Sequence, residues 1–238
     1  MPAPTGISTR PAAAPVPDQP ISTPESLTEK LKAHIRDKAF PCVGAKSALA
    51  RDRITFVRAG DLRCPQDDMA IHTALETFVS AYRRAPGPFQ SFAVIFDGPD
   101  SLTEAQFESV MWTRLQALEE IDAHRGHAYD PRVHPEVDHP EFSLSFAEEA
   151  FFVVALHPAR RFDVPVLIFN THDQFEHLRH EGRYETLRAS IIARDIAIAS
   201  SANPMLARHG ERSEASQYSG RKVGPQWKCP LRQVHVTP

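Results

Sequence analysis

The sequence predicts an α+β domain in which a small mixed β-sheet is covered by helices. Short apolar runs of strand length occur along the chain between longer segments whose apolar residues recur at helical spacing, and there is no internal repeat. The length of 238 residues allows one substantial hydrophobic core and favours a single domain. Strands and helices that each carry an apolar face bury those faces against one another, so a layered architecture follows.

The N-terminal segment differs in composition from the rest of the chain. Residues 1–22 are rich in proline and alanine and lack apolar periodicity. Such a segment buries too little surface to offset its ordering entropy, so we expect a disordered tail. The folded domain is predicted over residues 23–238, beginning with a helix that Thr23 caps and in which Pro24 is the first residue.

In the first half of the domain, segments predicted as strands alternate with segments whose apolar residues have helical spacing. "RITFVRAG" is predicted as a short strand, and "FQSFAVIFDGPD" as a buried strand that ends in a Gly-Pro turn. Between them, "DDMAIHTALETFVSAYRR" predicts a helix whose apolar face contains Met69, Ile71, Leu75, Phe78 and Val79. A long amphipathic helix follows over 101–125, opened by a capping box of Ser101 and Glu104.

Two further apolar runs, 150–156 and 166–169, are predicted as adjacent strands. His157 and His172 follow these strands, at the sheet ends where sites usually gather. One or two helices, broken near Gly182, are expected up to about residue 199, followed by a loop-rich tail.

Composition favours a cytoplasmic protein. The net charge of -3 is taken as spread over the chain, which leaves no basic surface for nucleic acid. No apolar run approaches the ~18 residues of a membrane span, and the N-terminus lacks the apolar core of a signal peptide. Three cysteines cannot form a disulfide framework, and they suit a reducing compartment: Cys42, Cys64 and Cys229.

Common catalytic motifs are missing from the sequence. "VGAKSA" lacks the glycines of a phosphate-binding loop, and there is no G-x-G-x-x-G for a dinucleotide. Neither H-E-x-x-H nor G-x-S-x-G occurs. Two histidine pairs spaced three apart, His124 with His127 and His177 with His180, are weak candidates for a mononuclear metal site.

The residues themselves leave the roles of the remaining candidates open. His157 and His172 are compatible with a satisfied core histidine, a metal or cofactor ligand, or a catalytic base. Cys42 and Cys229 fit small buried hydrophobes or thiolate ligands. Three carboxylates are candidates for a pocket, with a solvated surface as the alternative: Glu148, Glu149 and Glu108.

Several blocks, in the same order, resemble the YqcI/YcgG family. The matching stretches are "FPCVGAKSAL", "FSLSFAEEAFFVVALHP", "RRFDVPVLIFNTHDQFEHLR", "SANPMLARHGERSEASQYSGR" and "WKCPL", within residues 38–232. The resemblance implies a haem-dependent N-hydroxylase of guanidine groups, like the arginine N-hydroxylase of the cycloserine pathway and the enzyme that hydroxylates the guanidine intermediate of guanitoxin biosynthesis. The connection between "LHP" and "RRF" is shorter than the family pattern leads us to expect, which bears on the substrate.

With this resemblance, the candidates take roles around haem b, and His157 and His172 are both expected to end their strands at one haem pocket. His157 is the expected axial ligand, followed by His172 and then by Cys42 or Cys229, and the substrate guanidinium is expected to bind a carboxylate. Cations for the haem propionates are expected among Lys46, Arg160 and Arg161. Dioxygen or peroxide would be the oxidant, with electrons from a separate reductase. A haem carrier without turnover and a non-haem metal enzyme are the alternatives, and a homodimer is left open.

Overall fold

The computed structural model describes residues 26–158, 161–173, 182, 184–199, 203, 205, 207 and 210–234. The expected tail 1–22 and the predicted cap Thr23 lie outside these residues. The first helix of the described chain begins after Ser26, whose hydroxyl accepts a hydrogen bond from the Glu29 backbone N–H at 3.3 Å. Ser26, and not Thr23, is therefore the N-cap.

The described chain confirms the predicted α+β class, with a mixed sheet and helices on both of its faces. The strands are β1 (Ile54–Asp61), β2 (Ser91–Gly98), β3 (Leu144–Phe146), β4 (Glu149–Leu156) and β5 (Val166–Thr171), in the spatial order β1-β2-β5-β4-β3. Strands β1 and β2 are parallel, and each other neighbouring pair is antiparallel. The helices are α1 (Leu27–Arg36), α2 (Val43–Ala50), α3 (Asp68–Arg84), α4 (Glu104–His124) and α5 (Tyr184–Ala199), with short 3-10 helices at Pro65–Asp67 and Glu214–Gln217. None of the described helices is long and apolar enough to cross a membrane.

The sheet has a hydrophobic core on each face, because neighbouring side chains of a strand point to opposite sides. On β4, Val153 and Ala155 join the apolar residues of α3 and α4, whereas Val154 and Leu156 join those of α1 and α2. We call these the α3–α4 face and the α1–α2 face. Phe92, at the start of β2, is fully buried on the α3–α4 face.

The outer edge of β4 is closed by two different segments. Strand β3 pairs only with the first residues of β4, from Glu149 to Phe151. Farther along, the Ala155 backbone N–H donates to the Tyr218 carbonyl at 2.9 Å. The C-terminal segment therefore continues the cover of β4 where β3 ends, and it brings residues 214–221 to the end of that strand.

The antiparallel pairing of β4 and β5 separates the two histidines that end them. Leu156 pairs with Val166, and the His172 backbone N–H donates to the Ala150 carbonyl at 2.9 Å. His157 lies seven residues beyond Ala150, which is about 24 Å along a strand at ~3.4 Å per residue. The expectation of one pocket for both histidines is wrong. We call the two edges of the sheet the His157 end and the His172 end.

The long helix differs from its prediction in its start and in its surface. Helix α4 is capped by Thr103: its hydroxyl accepts from the Gln106 backbone N–H at 3.2 Å, and the Gln106 side chain accepts from the Thr103 N–H at 3.0 Å. Ser101 lies two residues before this cap, so the predicted capping box is wrong. The helix is also not simply amphipathic, since it buries Glu108, Arg114, Glu119 and Asp122. On α3, the predicted core residue Met69 is 56% exposed.

We expect Thr103→Ala to lower the free energy of unfolding by about 1 kcal/mol, because it removes one half of the capping box. Ser101→Ala and Thr113→Ala, a change at an exposed position of the same helix, are expected to stay within about 0.5 kcal/mol of the wild type. Urea unfolding of the three variants measures this. A larger loss in Ser101→Ala than in Thr103→Ala would contradict the assigned cap.

Candidate active site

His157 lies just beyond β4 on the α3–α4 face. Its ring packs edge-on against Phe107 of α4, with 5.1 Å between ring centroids, and its carbonyl accepts from the Arg161 backbone N–H at 3.1 Å. The side chain is 8% exposed, both ring nitrogens are buried, and neither has a hydrogen-bond partner in the described part of the chain. A buried polar group without a partner costs about 1–3 kcal/mol, so its presence needs a reason.

Glu108, the neighbour of Phe107 on α4, lies at the same end of the sheet and is 6% exposed. Ser219 donates to its Oε1 at 2.9 Å, and the Arg221 guanidinium donates to its Oε2 through Nε at 2.9 Å and also through Nη2. The Trp227 indole N–H donates to Oε2 at 3.3 Å. Arg221 therefore balances the buried charge, and Oε1 keeps one acceptor position beyond its bond from Ser219.

Trp112 follows Glu108 by one helical turn and is buried in the core, with 2% exposure. Its ring lies 5.8 Å from that of Tyr218, in the segment that closes the edge of β4. The indole N–H is buried and has no partner among the described residues. We define the His157 cluster as His157, Phe107, Glu108, Trp112 and Arg221. The cluster contains two buried groups, the His157 imidazole and the Trp112 indole N–H, that form no hydrogen bond with the described residues.

The other two predicted carboxylates lie at the His172 end. Ala147 and Glu148 form the turn between β3 and β4 with φ angles of 51° and 62°, and the Glu148 carbonyl accepts from Arg83 at 2.7 Å. Glu149, the first residue of β4, is 4% exposed, and Arg132 donates to its Oε1 at 2.7 Å. Burial raises the pKa of Glu149, and the Arg132 guanidinium opposes that shift.

His172 itself is 3% exposed and lies beside Ala150 at this end. Arg132 also binds Asp130 through Nε at 2.9 Å and forms an ion pair with Asp173. The structure therefore places His172, Glu148 and Glu149 at one end of the sheet, and His157 and Glu108 at the other.

The two cysteines proposed as ligands belong to other environments. Cys42 is the N-cap of α2, its sulfur accepts from the Ala45 N–H at 3.4 Å, and burial raises the pKa of its thiol. Burial raises the pKa of the Cys229 thiol to about 12. Both are protonated at neutral pH, so neither presents a ready thiolate. Lys46 belongs to α2, and its ammonium donates to the Lys38 carbonyl at 3.1 Å.

A third buried histidine, His72 of α3, was not predicted. It is fully buried, and its Nε2 lies 2.7 Å from Asp122 Oδ1, which also accepts from the Ala147 N–H at 2.8 Å. Arg125 lies 3.0 Å from Nδ1 and can only donate, so Nδ1 accepts and the proton is on Nε2. His72 shares the apolar face of α3 with Leu75, which was the available signal for its burial. This contact holds the β3–β4 turn against α3 and α4.

The histidine pairs considered as metal ligands do not form a site among the described residues. His127 binds Glu76 Oε1 at 2.7 Å through its Nε2, and His177 and His180 lie outside those residues. No group of three histidine, cysteine or acidic side chains in the described ranges is arranged to hold a metal ion.

Glu119 is the buried carboxyl of α4 with the largest change in acidity, and it is 2% exposed. Burial, followed by the neighbouring Asp122 and Glu120, raises its pKa from 4.5 to about 8. The side chain is therefore mostly neutral at pH 7.

The model of the YqcI/YcgG family matches residues 31–232 of this chain. No curated protein and no solved structure matches the chain significantly. The match includes the second half of α1, all of α2–α5 and β1–β5, and with them both the His157 end and the His172 end.

Glu119→Gln is expected to stabilise the protein at pH 8 and to change it little near pH 4.5. The carboxyl has a pKa of about 8 in the folded state and 4.5 in the unfolded state. Between these two values the folded state keeps a proton that the unfolded state has lost, so the free energy of unfolding falls as the pH rises. The neutral amide removes this loss, which is at most about 1.4 kcal/mol per pH unit. Urea unfolding across this pH range measures it, with the exposed neighbour Glu120→Gln as the control. Parallel pH profiles for wild type and Glu119→Gln would contradict it.

Proposed function

The chain belongs to the YqcI/YcgG family, and on this premise we propose that it is a haem-dependent monooxygenase that N-hydroxylates a guanidine group, in L-arginine or a related compound. The observation that carries the proposal is His157, a buried imidazole with both nitrogens unbonded within the described chain. A neutral imidazole nitrogen is a common axial ligand of haem iron. A bond to iron would use one of these nitrogens and remove its unmet hydrogen-bonding cost.

The residues at the His157 end fit such a group in their chemistry. Phe107 and Trp112 offer aromatic surface, and Arg161 follows His157 closely enough to place a cation near a haem propionate. Lys46 lies on α2, on the other face of the sheet, so it is less suited to that role. Haem, when bound, supplies the activation of dioxygen or peroxide.

Glu108 is the best candidate for holding the substrate. A guanidinium pairs with a carboxylate through charge-assisted hydrogen bonds, and Oε1 of Glu108 has an acceptor position left. Arg221, Ser219 and Trp227 fix the orientation of this carboxylate through their bonds to it. Their role would be to position Glu108, so that a substrate nitrogen is held at a defined place.

Electrons must come from outside the chain. The overall change converts a guanidine N–H and one O2 into N–OH and one water, and it consumes two electrons and two protons. No dinucleotide-binding motif is present in the sequence. A separate reductase is therefore proposed, with peroxide as the substitute for dioxygen and electrons together.

A second location for the same function is the His172 end, which also contains the buried Glu149. Glu149 is paired with Arg132 as Glu108 is with Arg221, and Glu148 lies on an exposed turn. This location is the alternative that the experiments below separate from the His157 end.

We expect the protein to bind one hemin per chain with a strong Soret band, and His157→Ala to weaken that affinity at least about tenfold, or ~1.4 kcal/mol. Free imidazole is expected to restore the band in His157→Ala, because it replaces the missing ligand. His172→Ala is the control and should bind like the wild type. The opposite order of the two variants would move the ligand to His172, and no stoichiometric hemin in the wild type would overturn the proposed function.

L-arginine is expected to shift the Soret band of the hemin-loaded protein, and Glu108→Gln to raise the Kd from this titration about tenfold, because the charge that pairs with the guanidinium is lost. Glu149→Gln is the matched change at the opposite end and should leave the Kd unchanged. Loss of arginine binding in Glu149→Gln alone would place the substrate at the His172 end. A Soret band indifferent to every guanidino compound would favour a haem carrier.

A further inference from the structure

The two helical layers that cover the sheet carry opposite charges. Residues 26–53, which contain α1 and α2, have seven lysines and arginines against three acidic residues. Helices α3 and α4 together have three basic residues against seven acidic ones. The net charge of -3 is therefore not spread over the chain, as the composition led us to expect. This small net charge is the sum of a basic layer on one face of the sheet and an acidic layer on the other.

Four of the seven cations of the basic layer are exposed and can meet a partner. They are Lys30, Lys32, Arg36, Lys38, Lys46, Arg51 and Arg53. Only Lys32 among them forms an ion pair within the described residues, with Glu29 at 2.8 Å. Lys30, Arg36, Lys38 and Arg51 are exposed. With seven basic and three acidic side chains, the layer has a net charge of +4, and such a positive surface creates a potential that attracts an acidic protein and speeds its association.

The basic layer lies against the loop that follows His157. Leu31 and Ile35 of α1 share their core cluster with Phe162, and the His34 ring lies 5.6 Å from the Phe162 ring. Phe162 forms an isolated bridge with Pro158, the residue next to His157. The cations of α1 are thus separated from His157 by α1 itself and by this loop.

We propose that the basic layer of α1 and α2 is the docking surface of an acidic one-electron carrier protein that serves the His157 end. The inference rests on the proposed function, since N-hydroxylation requires two electrons that the chain does not supply. Each carrier is oxidised by one electron, so two reduced carriers are used for each N–H converted to N–OH. The second oxygen atom of O2 leaves as water with two protons. Charge complementarity selects an acidic carrier, and the packing of α1 against Phe162, in the loop that follows His157, makes this face the suitable one.

The test measures binding of two acidic carriers, a [2Fe–2S] ferredoxin and a flavodoxin, to the full chain without haem. We expect at least one to bind at about 10 mM salt and to be released at about 150 mM, as the Debye length falls from about 30 Å to about 8 Å. The double variant Lys30→Glu/Lys38→Glu should raise the Kd for the carrier at least about tenfold at low salt. These two side chains form no ion pair in the described chain, so the protein should fold normally.

The matched control is Lys228→Glu/Arg232→Glu, which changes the net charge equally on exposed side chains beside α4. The Kd of this variant should stay within about twofold of the wild-type Kd.

Equal Kd values in both double variants, or no binding of either carrier at low salt, would overturn the inference. So would sedimentation of the wild type as a dimer that Lys30→Glu/Lys38→Glu dissociates, or binding of duplex DNA with the same loss. Hemin titration is a separate measurement, so its failure would count against the proposed function and not against the docking surface.

Discussion

The charged side chains buried on α4 determine how the other segments are placed around that helix. A buried charge without a partner costs several kcal/mol, so each of these groups requires one. Arg114 binds Asp68 at the start of α3 at 2.6 Å, Asp122 binds His72, and Glu108 binds Arg221 of the C-terminal segment. Helix α4 therefore fixes α3 and the C-terminal segment 219–227 against the same face of the sheet, and it fixes the β3–β4 turn through Asp122.

The same constraint organises the two ends of the sheet. At the His157 end, Glu108 is oriented by a segment more than a hundred residues away in the sequence, and that segment also covers the edge of β4. At the His172 end, Asp122 holds the turn from which Glu149 begins its strand. Because β4 and β5 are antiparallel, the histidine that ends each strand lies at a different end. A single small-molecule pocket can therefore contain only one of these sets of residues.

Several elements were predictable because their signals are local. The apolar run of β2 and the helical spacing of α3 both correspond to the observed elements. The capping box failed because Ser101-x-x-Glu104 and Thr103-x-x-Gln106 both occur within six residues, and only the helix start decides between them. The burial of Glu119 and His72 was missed because both depend on what packs over α3 and α4. The charge difference between the layers was present in the sequence, but its meaning depended on which helices share a face.

The sequence by itself determined the family blocks, the order of four strands and of the longer helices, and the set of histidines, cysteines and carboxylates capable of chemistry. Helix α2 and the three-residue strand β3 were not predicted. The predicted features depend on residues close together in the chain, where periodicity and motif spacing act. Only the tertiary structure decided which of them meet, because that depends on strand direction and on partners far apart in sequence. It separated His157 from His172, joined Glu108 to Arg221, and placed α1 and α2 together as one basic layer on the face opposite α4.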